Sequence, residues 1–292
     1  PGSLVGSEMC IRDSLYNGVL VVQCHTPGMH RALPTLVEAF KEALGDTLVG
    51  IYDKSAKTLL KNGGEACLDG WVWGSAPEGH FATEHGHRFD IDWEKGQKTG
   101  FFLDQRENRA LLGSLSKEKK VLNVFSYTGG FSIYAMKAGA KEVHSLDSSQ
   151  RALDVCEHNV RLNELPLQSH TSIQADAMEY LKADELGDYD IVVLDPPAFA
   201  KRASARHAAV QGYKRINLRA LQGMKPGSLL FTFSCSQAVD DTLFANTIVA
   251  AAIQAGRTVR ILHRLHQPPD HPVNVFHPEG SYLKGLVVRV DD

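Results

Sequence analysis

One thiol at the end of an apolar run is the residue best placed to do covalent chemistry. Cys235 follows the run LLFTFS and stands between Ser234 and Ser236. A free thiol titrates near 8.5, so it is reactive at neutral pH only in electropositive surroundings. The neighbouring sequence supplies them. From Pro196 to Val239 there is no Asp or Glu, while Lys201, Arg202, Arg206, Lys214, Arg215, Arg219 and Lys225 all fall inside. A charge run is commonly a solvated face, but a helix normally carries both signs. One-signed charge beside a reactive rim suits a phosphate backbone. Cys24, Cys67 and Cys156 read instead as small buried hydrophobes.

A second chemical element precedes it. The apolar run ending at Leu194 leads into Asp195-Pro196-Pro197-Ala198-Phe199. Two prolines remove two backbone donors and fix two φ angles, so this loop is stiff. A stiff loop at a strand end can present Asp195 and backbone carbonyls to a flat substrate such as a base, with Phe199 stacked on it. The plainer alternative is a rigid turn.

A third group looks like a small-molecule pocket. VLNVF runs into Ser126-Tyr127-Thr128-Gly129-Gly130-Phe131-Ser132. Glycines there allow a tight strand-to-helix turn and close approach of a ligand, although an ordinary turn would use them too. The loop is not G-x-G-x-x-G and lacks a Walker lysine, which weakens dinucleotide and P-loop readings. The next strand ends at Asp147, placed to accept both hydroxyls of a ribose. Asp176, in QADAM, is placed to meet the amino edge of an adenine. Each acid alone could be a helix N-cap. In this order, a ribose site and an adenine site without a pyrophosphate loop suggest S-adenosylmethionine.

These groups need a scaffold that brings strand ends together, and the rhythm of the chain provides one. Strands are expected at Val121–Phe125, Val143–Leu146, Ile191–Leu194, Leu229–Ser234, Val259–Leu265 and Leu286–Val290, the last closing the fold. Helical patterns at about 130–138, 149–162, 176–183, 207–223 and 240–255 fall between them. That alternation predicts a mainly parallel, doubly wound α/β sheet, with ligands at the carboxyl ends of its strands. Residues 15–92 read as a small α+β domain. It has strands at Val19–Val22 and Leu48–Tyr52, a helix carrying Leu36, Val37, Phe40 and Leu44, and glycine-rich hairpins around Trp71 and Trp73. Residues 93–292 form the second domain. Residues 1–14 show no periodicity and are set aside as a truncated or non-native leader.

Composition narrows the class. The chain has 292 residues, 43% hydrophobic and 22% charged, enough to bury a core. No stretch approaches the roughly 18 apolar residues of a membrane span. Five widely spaced cysteines, no C-x-x-C pair and no H-x-x-x-H pair argue against a disulfide framework or a metal site and for a reducing cytoplasm. The net charge of −3 argues against a wholly basic nucleic-acid binder, so any basic footprint is local.

Several longer strings narrow it further: TEHGHRFDID (83–92), KTGFFLDQRENR (98–109), VLNVFSYTGGFS (121–132), LDPPAF (194–199), FSCS (233–236), DHPV (270–273) and PEGSYLKG (278–285). Through them the sequence resembles class I S-adenosylmethionine-dependent methyltransferases. Within that class it resembles the bacterial large-subunit ribosomal RNA cytosine-5 methyltransferases. LDPPAF alone is shared with several amino-methylating enzymes. The resemblance implies a Rossmann-like, mainly parallel seven-stranded sheet with a smaller, RNA-contacting N-terminal α+β domain. It implies that Phe125, Ser126, Tyr127, Thr128, Gly129, Gly130 and Phe131 hold the methionine end of the cofactor. Asp147 with Ser148 would hold its ribose and Asp176 with Ala177 its adenine, with Lys98, Gln105, Arg106 and Asp195 closing the pocket. Cys235 would be the nucleophile and Asp195 the partner of the base. Pro196, Pro197, Phe199, Lys201, Arg202, Arg206, Lys214 and Arg215 would contact ribosomal RNA. No metal or membrane is implied, and a homodimer is possible. The family usually carries an N-terminal PUA-type RNA-binding domain, and the residues before Val19 are too few to form one.

Two other functions compete. One keeps the cofactor but methylates an amino group of a guanine, a reaction that needs no thiol; Cys235 argues against it. The other is a non-catalytic RNA-binding or assembly protein that retained a methyltransferase shell.

Overall fold

The computed structural model describes residues 11–182, 184–200, 203–277 and 280–292. The chain divides into two compact units, one of residues 1–106 with 268–273, the other of 107–267 with 274–292. The sequence reading put this boundary at residues 92 and 93. The structure moves it past the Phe101-Phe102 segment, because Ser14 Oγ and Tyr16 Oη bond Thr99 Oγ1 at 2.8 and 3.2 Å.

In the first unit, β1 (Ile11–Tyr16) and β2 (Val19–Cys24) form a hairpin. Residues 11–14, set aside as part of a leader, are therefore strand. IRDSLY mixes apolar and polar residues, and pairing with β2 rather than its own pattern makes it extended. The helices α1 (Pro27–Arg31) and α2 (Leu33–Leu44) follow, then β3 (Gly50–Asp53), α3 (Ala56–Lys61) and β4 (Gly70–Gly74). The four strands make one sheet in the order β1-β2-β3-β4. Its core joins Leu20, Val22 and Ile51 to Leu33, Val37 and Phe40 of α2. A separate hairpin pairs β5 (Ala82–Glu84) with β6 (His87–Phe89).

In the second unit, α4 (Arg106–Leu115), whose first residue closes the first unit, precedes β7 (Lys120–Val124), α5 (Gly130–Lys137), β8 (Glu142–Asp147) and α6 (Gln150–Leu162). Then come β9 (His170–Gln174), α7 (Ala177–Tyr180), β10 (Ile191–Leu194) and α8 (Arg206–Gly223). The chain ends with β11 (Leu229–Ser234), α9 (Asp241–Ala255), β12 (Val259–His266) and β13 (Lys284–Val290). The seven strands form one sheet in the order β12-β13-β11-β10-β7-β8-β9, with β13 antiparallel to its neighbours. β9 was absent from the expected strands. HTSIQ holds a single large apolar residue and lies at the sheet edge, where little hydrophobic patterning is needed.

The order reverses at β7, which has β8 on one side and β10 on the other. That switch point is where doubly wound sheets bind ligands. Register sets the level of the exits, because Val124 pairs with Leu194 and Leu194 with Thr232. A core of Leu122, Val192, Leu230, Leu286 and Val288, packed on Tyr213 of α8 and Phe244 of α9, fixes that register. Among the described residues no helix is long and apolar enough to cross a membrane, and no group of three His, Cys, Asp or Glu side chains could hold a metal.

Candidate active site

The loop after β7 is the most constrained backbone at the switch point. Phe125, Tyr127 and Gly129 have φ of 60°, 48° and 82°. A Cβ on Gly129 would lie 2.3 Å from Cys156 Sγ of α6, so the turn needs glycine for both backbone angle and space. Neighbouring elements hold the loop. Asn159 Nδ2 donates to the Thr128 carbonyl at 3.0 Å, and Tyr127 N donates to Asp147 Oδ2 at 2.9 Å.

Beneath it runs a polar seam that the sequence reading did not identify. Asn123 Nδ2 donates to Ser132 Oγ at 2.9 Å, Ser132 Oγ meets Ser145 Oγ at 2.7 Å, and Ser145 Oγ meets His170 Nε2 at 2.8 Å. Burial holds the His170 imidazole down at about 4 and pushes the Cys156 thiol up to about 12. Both are therefore neutral near pH 7, and the seam is a support rather than a reactive pair.

Two hydroxyls in the loop are not used by the protein. Ser126 Oγ and Thr128 Oγ1 are buried and make no hydrogen bond among the described residues. Buried polar groups are normally paired, and leaving one unpaired costs about 1–3 kcal/mol. Unpaired hydroxyls in a strained glycine turn fit a polar ligand group seated there. This donor set suits the methionine end of S-adenosylmethionine.

Asp147, at the end of β8, accepts the Tyr127 amide on Oδ2 and the Ser149 amide on Oδ1, both at 2.9 Å. A carboxylate has about four acceptor positions, so each oxygen keeps capacity for a ligand hydroxyl. Ser148, beside it, is exposed. Asp176 caps α7: its Oδ1 accepts from the Met178 and Glu179 amides at 2.8 and 3.0 Å. Its side chain is exposed, and Ala177 behind it is buried.

The exits of β10 and β11 meet through one residue. Ser236 Oγ accepts the Ala200 amide at 3.2 Å and contacts Tyr213 Oη at 3.0 Å, joining the Asp195–Ala200 loop to the Ser234–Ser236 turn. Asp195 and Cys235 are half-buried, one on each of these paired loops. Pro196 is buried and Pro197 exposed. Phe199 lies against Tyr213 with ring centroids 4.6 Å apart, while 37% of it stays exposed. Gly212 permits this, since a Cβ there would sit 2.9 Å from the Phe199 ring. Lys284 of β13 donates from Nζ to the Ser236 carbonyl at 2.8 Å. Sequence reading missed Tyr213 and Lys284, which look like ordinary helix and strand residues.

The basic segment is less one-signed in space than along the chain. Arg206 pairs with Asp240 at 3.2 Å and Lys225 with Asp190 at 3.0 Å, acids lying just outside the run. Lys214 and Arg215 carry no ion pair among the described residues. Lys201 and Arg202 lie outside the described residues.

Three expected site residues belong to the first unit. Lys98 has φ of 49° and holds Nζ 4.6 Å from the Phe102 ring centroid. Gln105 is buried, and Arg106 pairs with Asp270 at 2.7 Å. Burial would raise the Asp270 pKa, but His271 and the Arg106 guanidinium outweigh it and hold the carboxyl below its usual range.

A mainly parallel sheet with this strand order and a glycine turn beside an acid-tipped strand defines the class I methyltransferase fold. Residues 58–289 match the family described as S-adenosylmethionine-dependent methyltransferase, and the chain belongs to that family. Two curated relatives are each called ribosomal RNA large subunit methyltransferase I. That of Tolumonas auensis is 41% identical over 278 residues, covering 94% of this chain and 70% of the relative. That of Shewanella amazonensis is 41% identical over 294 residues, covering 98% and 74%. Among solved structures, the chain is similar to a Streptococcus mutans protein assigned as an S-adenosylmethionine-dependent methyltransferase. The TM-score is 0.82 at 23% identity, over 96% of this chain and 71% of that one, a likeness of fold.

Proposed function

We propose that this chain methylates carbon 5 of a cytosine in large-subunit ribosomal RNA, in the cytoplasm, with Cys235 as covalent nucleophile. The observation that carries this reading is the junction at Ser236, which joins the Asp195 loop and the Cys235 turn beside the glycine loop at the switch point. The names of the two relatives support ribosomal RNA of the large subunit as the substrate.

Phe125 to Phe131 hold the methionine end of the cofactor, with Ser126 Oγ and Thr128 Oγ1 as its hydroxyl partners. Asp147 takes the ribose hydroxyls and Asp176 the adenine edge. Roles for Lys98, Gln105 and Arg106 rest on the resemblance alone. S-adenosylmethionine supplies an electrophilic methyl group.

Carbon 5 of cytosine is a poor nucleophile. Addition of the Cys235 thiolate to carbon 6 makes carbon 5 electron-rich enough to accept a methyl group. Asp195, in its protonated form, donates a hydrogen bond to the ring nitrogen and stabilises the negative charge that develops there. Loss of the carbon-5 proton and expulsion of Cys235 restore the aromatic ring. Pro196 and Pro197 keep Asp195 in place, and Phe199, Lys214 and Arg215 are the residues offered to the RNA, with Arg206, held by Asp240, and Lys201 and Arg202 beside them in sequence.

The test is Cys235→Ala, assayed for transfer of labelled methyl groups to ribosomal RNA. Transfer should be lost while cofactor binding, measured by calorimetry, remains. A variant that still turns over at the wild-type rate removes the thiol from the mechanism.

A further inference from the structure

The first turns of α8 and α9 enclose a groove at the carboxyl edge of the sheet. Each helix begins after a loop of the candidate site: α8 follows the Asp195–Ala200 loop in sequence, and α9 follows the Ser234–Ser236 turn. From Cys235 to Asp240, the N-cap of α9, the chain can reach at most about 17 Å. One turn on from Val210, Tyr213 of α8 meets Phe244 of α9 edge to face, with ring centroids 5.7 Å apart. Tyr213 Oη also contacts Ser236 Oγ at 3.0 Å, so the helix pair is tied to the turn that carries Cys235.

The groove measures about 690 Å³, within the roughly 300–1,000 Å³ of clefts that take small ligands. Helical spacing arranges its lining. Arg206 and Val210 are four apart on α8, as are Thr242 and Asn246 on α9, so each pair shares a helix face. Val210 and Leu243 are half-buried and supply apolar surface. Arg206 reaches across to Asp240 at 3.2 Å, so the two permanent charges of the lining cancel. His207, Thr242 and Asn246 are exposed, and their side chains make no hydrogen bond among the described residues.

This lining selects a ligand class. A phosphate needs uncompensated cationic charge, which the Arg206–Asp240 pair withholds. An aliphatic ligand would strip water from three polar side chains without replacing it. A flat, neutral ligand with hydrogen-bonding edges meets both demands. Its faces rest on apolar surface and its edge meets the Asn246 amide, which presents an acceptor beside donors. The Watson–Crick edge of an unpaired base offers the complementary pair.

We propose that this groove holds one unpaired nucleobase of the RNA strand outside the methylated cytosine, with Asn246 bonding its edge and His207 stacking on it. The assignment rests on the RNA substrate of the reading above and extends it from the reacting base to another base of the same strand.

The measurement is equilibrium binding of the whole chain to a large-subunit ribosomal RNA transcript across a salt series. Asn246→Ala should weaken binding about fivefold at each salt concentration, and His207→Ala by about fivefold or more. The slope of log affinity against log salt should stay at the wild-type value, because no phosphate contact is lost. Cofactor affinity, measured by calorimetry, should not change. Both side chains are exposed, so both variants should unfold at the wild-type temperature. Wild-type RNA affinity in both variants overturns the proposal. A flatter salt slope does so too, since it would make the groove a phosphate site. A second copy of the chain in the groove would appear in analytical ultracentrifugation as a dimer that Asn246→Ala dissolves with RNA affinity unchanged, and that result also overturns it. Binding involves no methyl transfer. Label in a methylguanosine would therefore end the cytosine-5 reading and leave the groove result standing, whereas wild-type affinity in the variants would end the groove assignment alone.

Discussion

The amide of Ala200 donates to Ser236 Oγ at 3.2 Å, so the loop carrying Asp195 and the turn carrying Cys235 are tied by one buried hydroxyl. Tyr213 Oη meets the same atom at 3.0 Å. Ser236→Ala removes the tie and leaves the Ala200 amide without that acceptor. A loss of about 1–3 kcal/mol of stability is expected, together with a lower kcat and an unchanged KM for the cofactor. Thermal unfolding and steady-state kinetics check both; an unaltered kcat would show that the tie has no part in catalysis.

Gly129→Ala should damage cofactor binding directly. The added Cβ meets Cys156 Sγ at 2.3 Å and forces a side chain into left-handed backbone. The strain of the φ angle is about 1–2 kcal/mol, and overpacking adds about 1–3 kcal/mol. Adding Cys156→Ala relieves the second effect and leaves the first. Calorimetry with the cofactor should show partial recovery in the double variant; full recovery would mean that the backbone angle is not strained.

His170 makes stability depend on pH. Its folded value is held at about 4 by burial, against about 6.5 in an unfolded chain. Below 6.5 the unfolded chain takes up a proton that the folded chain does not, so stability falls as pH drops from about 6.5 towards 4. Replacing His170 by Asn removes this contribution. Urea unfolding at pH 7 and pH 5 should therefore differ less in the variant than in wild type, and equal differences would contradict the assignment.

Lys214 and Arg215 are the described basic residues of α8 expected to meet phosphate, because Arg206 is already paired with Asp240. Changing both to Glu should weaken RNA binding and lower the salt slope by about one per lost contact. Cofactor affinity should not change. A salt slope equal to wild type would return this stretch to a solvated face.

The sheet was legible where burial on both faces writes long apolar runs. Ile191–Leu194 and Leu229–Ser234 match their expected spans, and β7 and β8 differ by a residue at their ends. β1 and β9 were not legible, since an edge position or a hairpin partner imposes strand on mixed sequences such as IRDSLY and HTSIQ. At the site, the glycine loop and the acid after β8 announced themselves by residue type and spacing. The seam from Asn123 to His170 did not, because it joins residues from four elements that meet only in the fold. Lys284 was hidden for a different reason. A lysine at a strand end reads as solvent-facing, and its burial follows from the pairing of β13 with β11.

The central claim is the atom that receives the methyl group. Large-subunit ribosomal RNA, incubated with the chain and isotopically labelled S-adenosylmethionine, can be digested to nucleosides and analysed by mass spectrometry. The account predicts label in 5-methylcytidine, absent when Cys235→Ala replaces the wild type. Label in a methylguanosine would contradict it.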